Sequence, residues 1–499
     1  MVHAAIKFGI PLVLGTVLVG LGIGLYWILD NVIHKIVKQQ MTLSEDSKTY
    51  DTWRAPDIPV YMQFFVFDLV NPAEVMSGQK LPWVVQRGPY TYRETRVKEN
   101  ITWNEDGTVS YRQPVTYVFD REMSVGWDSD TVTTINLPLL TVANLVKYEP
   151  DWLQYLVEAL EKVSDASLFM EIPVKGLMWG YEDPMLEFIQ DALKDFGVHI
   201  PTEFGIFMGR NGSDDGEYTV YTDAERLNII KDWQNASSLS WWPDKYANMI
   251  NGTDGSLAPP FFDPSQPAYI YSSDICRSVY GLYEKDVDIK GISVKRYTSP
   301  KKLLADNITN PDNAGFCTPN HDYCLPGGLL NASNCQKGAP VVYSLPHFLY
   351  ADEHVQLPCL NPNKEEHQTL IDTDYITGVS MRVAKRLQIN AHLQRHQDID
   401  DLSKVNDQFY PVVWINETYT IDDASVAKYK SQVALPVKLC KYIPWVVVGI
   451  GCLIILITVL ALVLRKQKEQ SSGGKSGYGS IQNSEDREPL LGGSGNRRV

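Results

Sequence analysis

The sequence predicts a membrane protein in which two transmembrane helices flank one large, strand-rich ectodomain. Three observations predict it. Two uncharged apolar runs, residues 8–29 and 443–464, stand toward opposite ends of the 499-residue chain. Seven Asn-x-Ser/Thr sequons all fall between them. The intervening segment is rich in β-branched and aromatic stretches separated by turn residues.

Each apolar run is about 20 residues, the length that carries a helix across a hydrocarbon core of ~30 Å. Lys7 precedes the first run, and Arg465, Lys466 and Lys468 follow the second, so basic residues mark both expected cytosolic ends. Lys35 and Lys38 also follow the first run, which weakens the charge contrast there. The sequons decide the orientation. Asn100, Asn211, Asn235, Asn251, Asn307, Asn331 and Asn416 must face a secretory lumen to accept glycans. The expected topology is a cytosolic segment 1–7, a first span 8–29, a luminal ectodomain 30–442, a second span 443–464 and a cytosolic tail 465–499. The first run is longer than a signal-peptide core, and Gly24-Leu25-Tyr26-Trp27 is a poor cleavage context, so an uncleaved signal anchor is expected.

Along the ectodomain, strands are expected at Val60–Phe67, Val84–Val85, Val109–Phe119, Gly291–Tyr297, Val341–Ser344, Arg386–Leu393 and Val412–Ile415. Asp106-Gly107, Asn211-Gly212 and Asn251-Gly252 supply turns. Two helices interrupt this pattern. From Pro150, apolar residues recur at helical spacing through Trp152, Tyr155, Leu156, Ala159, Leu160 and Val163. At Asp183-Pro184 an N-cap and an N1 proline open a second, striped by Met185, Phe188, Ile189, Ala192, Leu193 and Phe196.

The net charge of −15 argues against a nucleic-acid partner. Five cysteines, 276, 317, 324, 335 and 359, cluster in the ectodomain, where an oxidising lumen favours disulfides; no Cys-x-x-Cys pair suggests zinc. Cys440 lies at the edge of the second span and Cys452 inside it. No metalloprotease helix, nucleophile elbow or phosphate loop is present, so neither an enzyme nor a cofactor is expected. His392 and His396 read as surface histidines on an extended segment, and Glu365-Glu366-His367 as a solvated loop.

The tail is polar and Gly/Ser-rich. It carries Tyr478-Gly479-Ser480-Ile481, a Tyr-x-x-apolar pattern, and Asp486 four positions before Leu490-Leu491. Both patterns resemble endosomal and lysosomal sorting signals that clathrin adaptors capture as extended peptides, with a ring or Leu pair in apolar pockets.

Longer stretches carry a family resemblance. Arg87-Gly88-Pro89-Tyr90-Thr91-Tyr92-Arg93, Trp179-Gly180-Tyr181 with Asp183, Asn248–Asp254, Ser273-Asp274-Ile275-Cys276-Arg277-Ser278, Leu345-Pro346-His347-Phe348, Asn361-Pro362-Asn363 with Glu366-His367, and Ile376-Thr377-Gly378 leading to Lys385-Arg386-Leu387-Gln388 occur in this order. They resemble the class B scavenger receptor family and cover nearly the whole chain. Trp241-Trp242 ahead of Asp244-Lys245, together with the Asp-Arg-Glu-Pro-Leu-Leu tail, is most similar to the lysosomal integral membrane protein type two branch.

The resemblance implies an α+β ectodomain with a β-barrel-like core, an apical helical bundle over about 139–196, and an apolar tunnel toward the membrane. It implies disulfides Cys276–Cys335 and Cys317–Cys324, and leaves Cys359 and Cys440 to pair with each other or stay free. It implies ligand contact at the crown, where Lys147, Lys162, Trp152, Phe188 and Phe196 are the candidates. The implied ligands are lipids (cholesterol, phospholipid or fatty acid), and a homo-oligomer is allowed. A lysosomal or late-endosomal membrane receptor follows, with a sorting receptor for a luminal hydrolase and a plasma-membrane scavenger receptor as alternatives. Residues 139–197 contain no histidine. A pH switch in the crown would therefore rest on carboxylates such as Glu149, Asp151, Glu158 and Glu161 instead.

Overall fold

The computed structural model describes residues 2–47, 49–147, 166–197 and 199–473, with 157, 162 and 164 between them. Trp152, the four crown carboxylates, the side chain of Phe196, and Tyr478, Ile481, Asp486, Leu490 and Leu491 lie outside the described residues. The described residues form two compact units, one from residues up to 34 together with those from 432 on, and one from Lys35–Ser431.

The first unit is built on the helix Leu435–Gly473 and on the helix Val2–Met41 as far as residue 34, and each helix contains a stretch long and apolar enough to span a membrane. Both continue beyond the apolar runs that the sequence marks, because helical backbone bonding persists after the apolar stretch ends. They pack antiparallel, and glycine sets how closely. A Cβ on Gly15 would come 2.6 Å from Ile455 Cγ1, and one on Gly22 would come 2.6 Å from Val448 Cγ2 and 2.8 Å from the Pro444 carbonyl. Between apolar helices in lipid, such close backbone approach is the main source of attraction. Gly22→Leu is expected to force the pair apart at a cost of about 1–3 kcal/mol. Cysteines replacing Tyr26 and Trp445, whose rings lie 5.9 Å apart, should crosslink in membranes and lose that crosslink when Gly22→Leu is added.

The second unit is dominated by an antiparallel sheet of eleven strands. Its main path runs Ala268–Ser272, Arg277–Ile289, Ile292–Thr298, Leu370–Thr373, Ser380–Leu393, Gln408–Thr420, Val60–Leu69, Val84–Arg96 and Val115–Asp120. Ser380–Leu393 is long enough to branch: its first half pairs with Leu370–Thr373 and its second half with Val341–Ser344. At the register shift between Phe64 and Val66, Gly88 has φ +141°, and a Cβ there would stand 2.6 Å from the Phe64 carbonyl. Glycine is what lets the two strands cross at that bulge.

The expected strand 109–119 is two strands. Thr108–Arg112 belongs to a separate four-stranded sheet with Glu99–Trp103, Tyr218–Tyr221 and Ile230–Trp233, while Val115–Asp120 edges the main sheet. Pro114 between them has no N–H to donate to a ladder, and the chain changes sheets there. The crown segment is likewise not all helix. Phe169–Pro173 pairs antiparallel with Thr131–Ile135 as a two-stranded sheet. The described crown helices are Leu137–Val146, capped by Asn136 accepting from the Leu139 N–H, Val174–Trp179, and Pro184–Leu193, capped by Asp183 accepting from Met185 and Leu186.

Candidate functional site

Strand alternation places chemistry in rows on one face of the sheet. Phe119, Tyr92, Met62, Glu417 and Lys385 are direct cross-strand neighbours on successive strands. One step along, Tyr90, Phe64, Ile415 and Leu387 form an apolar row. Because side chains alternate with period two, a row of aromatics and a row that includes charges share the same face.

The aromatic side of this face meets the crown. Trp179, at the end of a crown helix, packs its ring 5.1 Å from Tyr92, 5.0 Å from Tyr117 and 6.0 Å from Phe64, with Phe207 5.3 Å from Phe64. Phe119 closes on Tyr92 at 5.3 Å. These edge-on and tilted contacts add to the burial of large apolar surface.

Next to the aromatics lies a network of six charges. Arg96 bonds Glu94 and Glu417, and Lys385 Nζ reaches Asp274 at 2.7 Å and Glu417 at 3.2 Å. Arg210 stands 4.0 Å from Asp274. Three cations thus face three carboxylates. Lys385 beside Asp274 holds that carboxyl down to about 2. Burial opposes charge on both Lys385 and Glu417, but their opposite-charge partners outweigh it, so Lys385 is pushed up and Glu417 down. Glu94 goes the other way: burial raises it, and its Oε2 has no hydrogen-bond partner. Arg96, Lys385, Arg210 and Asp274 keep 32–43% of their side-chain surface accessible, while Glu94 keeps none. Sequence reasoning missed this network, because its members lie at 94, 96, 210, 274, 385 and 417 and no local pattern joins them.

On the crown, Phe188 is exposed and Met185 is buried, so the Pro184–Leu193 helix turns part of its apolar stripe outward. Lys147 donates to Gln394 at 2.8 Å, and Lys162 pairs with Asp400 at 3.0 Å. Asp401 accepts from the Leu168 N–H at 2.8 Å. The segment 394–402 therefore ties the crown to the sheet, a role its sequence does not advertise.

Cys276 is bonded to Cys335 and Cys317 to Cys324, with Cα separations of 6.4 and 4.5 Å. Cys359 and Cys440 carry free thiols. The seven sequon asparagines are each exposed or half-buried. Among them, the Asn211 amide both accepts from and donates to the Tyr117 backbone, at 2.9 and 3.2 Å.

Two histidine expectations are corrected. His396 is buried rather than at the surface, and His392 is half-buried against the Phe409 ring at 4.6 Å. His367 is buried in a short helix, Lys364–His367, and stacks on His347 at 4.2 Å. In each case long-range packing overrides a polar local context. Among the described residues no cluster of His, Cys, Asp and Glu is arranged to hold a metal ion.

Comparison with known proteins gives a consistent set of matches. A family model described as the CD36 family matches residues 13–462. Lysosome membrane protein 2 of Rattus norvegicus is 36% identical over 431 residues, covering 85% of this chain and 88% of that protein. Its Homo sapiens counterpart is 35% identical over the same length. Scavenger receptor class B member 1 of Sus scrofa is 30% identical over 459 residues, covering 91% of this chain and 89% of that protein.

Proposed function

The chain belongs to the CD36 family, and from that premise we propose that it is a two-span lysosomal or late-endosomal receptor that binds lipid and conducts it toward the membrane. In this reading both termini are cytosolic and the 30–442 segment is luminal and glycosylated. Lipid is received at the crown, around Phe188, Lys147 and Lys162, and passes along an apolar tunnel. The mechanism is binding and passive conduction without bond chemistry. Its driving force is the transfer of apolar lipid surface out of water, about 25 cal/mol per Å².

The observation that carries this reading is the accessible charge network beside the aromatic rings. Aromatic rings from Phe64, Tyr92, Phe119 and Trp179 adjoin an accessible, charge-balanced network. Phe64 and Tyr92 are buried, while Phe119 and Trp179 are half-buried; an amphiphile would set its chain against the latter two and its head group at Arg96 and Lys385. The similarity to lysosome membrane protein 2 supports the lysosomal assignment, and the tail patterns at Tyr478–Ile481 and Asp486–Leu491 supply the route. Lipids and a luminal hydrolase are the luminal partners proposed, with clathrin adaptors at the tail.

Lipid extraction from the purified full-length protein, read by mass spectrometry, tests the proposal. Stoichiometric lipid is expected; lipid-free protein that also fails to take up oleate or cholesterol overturns it. Lys385→Met should lower oleate uptake about tenfold, through the lost head-group partner, and leave cholesterol uptake within about twofold. Changing Tyr478, Leu490 and Leu491 together to Ala should move the protein to the cell surface. An unchanged distribution by surface biotinylation removes the sorting assignment.

A further inference from the structure

Among the described residues no carboxylate forms an ion pair with the buried Arg277. It follows Cys276 and is 5% exposed, and its guanidinium carbon lies 3.4 Å from the centre of the Phe316 ring. Its Nε–H donates to the Ser278 carbonyl at 3.2 Å. The group acting on it electrostatically is Tyr280, a neutral phenol at physiological pH. Burial pulls Arg277 down to about 9, which leaves it protonated at neutral and acidic pH. An isolated buried cation is strongly unfavourable unless something compensates it.

Arg277 borders a cavity of about 30 Å³, walled by Asn313, Phe316, Leu330 and the Cys317–Cys324 bridge. The Asn313 amide is spent on the carbonyls of residues 302, 303 and 305. Asp306 also borders the cavity, but its Oδ1 is turned to the N–H groups of Ile308 and Thr309, and it forms no ion pair with Arg277. The space admits one particle of about the size of a water molecule. Two disulfides brace it: Cys276 precedes the arginine, and Cys317 and Cys324 form part of the wall.

We propose that this cavity is an anion site in which a single monatomic anion, chloride under physiological conditions, serves as the counter-ion of Arg277. The guanidinium donors not used on Ser278 supply the hydrogen bonds, and the stacked Phe316 ring fixes the plane from which they project. The site is independent of the lipid-binding reading.

Purified full-length protein, crystallised in bromide in place of chloride, should show an anomalous peak beside Arg277. Its thermal midpoint should be about 2 °C lower in sodium gluconate than in sodium chloride of equal ionic strength. Arg277→Gln should abolish that difference while Arg277→Lys retains part of it, which separates site binding from general salt effects. If Arg277→Gln does not fold, the bromide peak in the unaltered protein still decides. No peak, with equal midpoints in the two salts, leaves a water molecule as the occupant and overturns the proposal.

Discussion

Acidification from pH 7 to pH 4.5 should lower the stability of the ectodomain by roughly 4 kcal/mol, most of it from His347, His367 and His392. Burial pushes His347, His367 and His392 down to about 4 and lowers His396 as well. Hydrogen bonding explains why the neutral form fits. The Nδ1 atom of His347 accepts the Asn361 N–H at 3.1 Å, and that of His367 accepts the Asn363 N–H at 2.9 Å. A proton on either nitrogen would set donor against donor, and the two rings are stacked face to face at 4.2 Å. Below about pH 6.5 the unfolded chain takes up protons that the folded protein refuses until about pH 4, so stability falls as pH drops through that window. A full shift of this size corresponds to ~2.5 kcal/mol per histidine at pH 4.5. Partial solvent access at His347 and His392 brings the contribution nearer ~1 kcal/mol each.

Glu94 and Asp183, both raised by burial, work in the opposite direction as they gain protons, but they are two groups against four. The measurement is the thermal midpoint of the full-length protein at pH 7, 6, 5 and 4.5. A double variant, His347→Gln with His367→Gln, should melt lower at pH 7 and lose less on acidification. An acid-induced drop of the same size in the double variant would place the effect elsewhere. For a protein proposed to work in an acidic lumen, this sensitivity matters: bound lipid stabilises the folded state by mass action, so loading and acid resistance become linked.

The same histidines show what the sequence could and could not reveal. Features written in contiguous residues were legible. The apolar runs hold the two spans, and Asp183-Pro184 opens a helix with Asp183 accepting from two backbone N–H groups, as local capping chemistry requires. The β-branched stretch from Val60 is a strand whose buried residues include Phe64 and Val66. Features produced by distant segments were not. Glu365-Glu366-His367 reads as solvated because its neighbours are polar, yet His367 is covered by His347 and the Trp414 edge, which come from far along the chain. Val109–Phe119 reads as one strand because periodicity carries through Pro114, and only the sheet arrangement shows that the chain divides there. The charge network combines both kinds. Arg96 and Glu94 alternate on one strand, and nothing local ties them to Asp274 or Lys385.

Removing the Cys276–Cys335 bridge should destabilise the ectodomain by about 4 kcal/mol, and removing Cys317–Cys324 by about 2.5 kcal/mol. The difference follows from loop length. The first bridge joins residues 59 apart and the second joins residues 7 apart, so the first restricts the unfolded chain far more. Position adds to this for Cys276. It is 2% exposed, its carbonyl accepts the Trp242 indole N–H at 2.8 Å, and it lies two residues after Asp274 and one before Arg277. Loosening it therefore moves the carboxylate that partners Lys385 and the guanidinium that faces the small cavity, so one cysteine supports both the network and the anion site. The comparison uses Cys276→Ala with Cys335→Ala, and separately Cys317→Ala with Cys324→Ala, each as a pair so that no free thiol is left to mispair. Denaturant unfolding should show the larger loss in the first pair, together with a fall in oleate uptake that the second pair does not share. Equal losses in the two pairs would mean that native-state packing, not restriction of the unfolded chain, sets the contribution of these bridges.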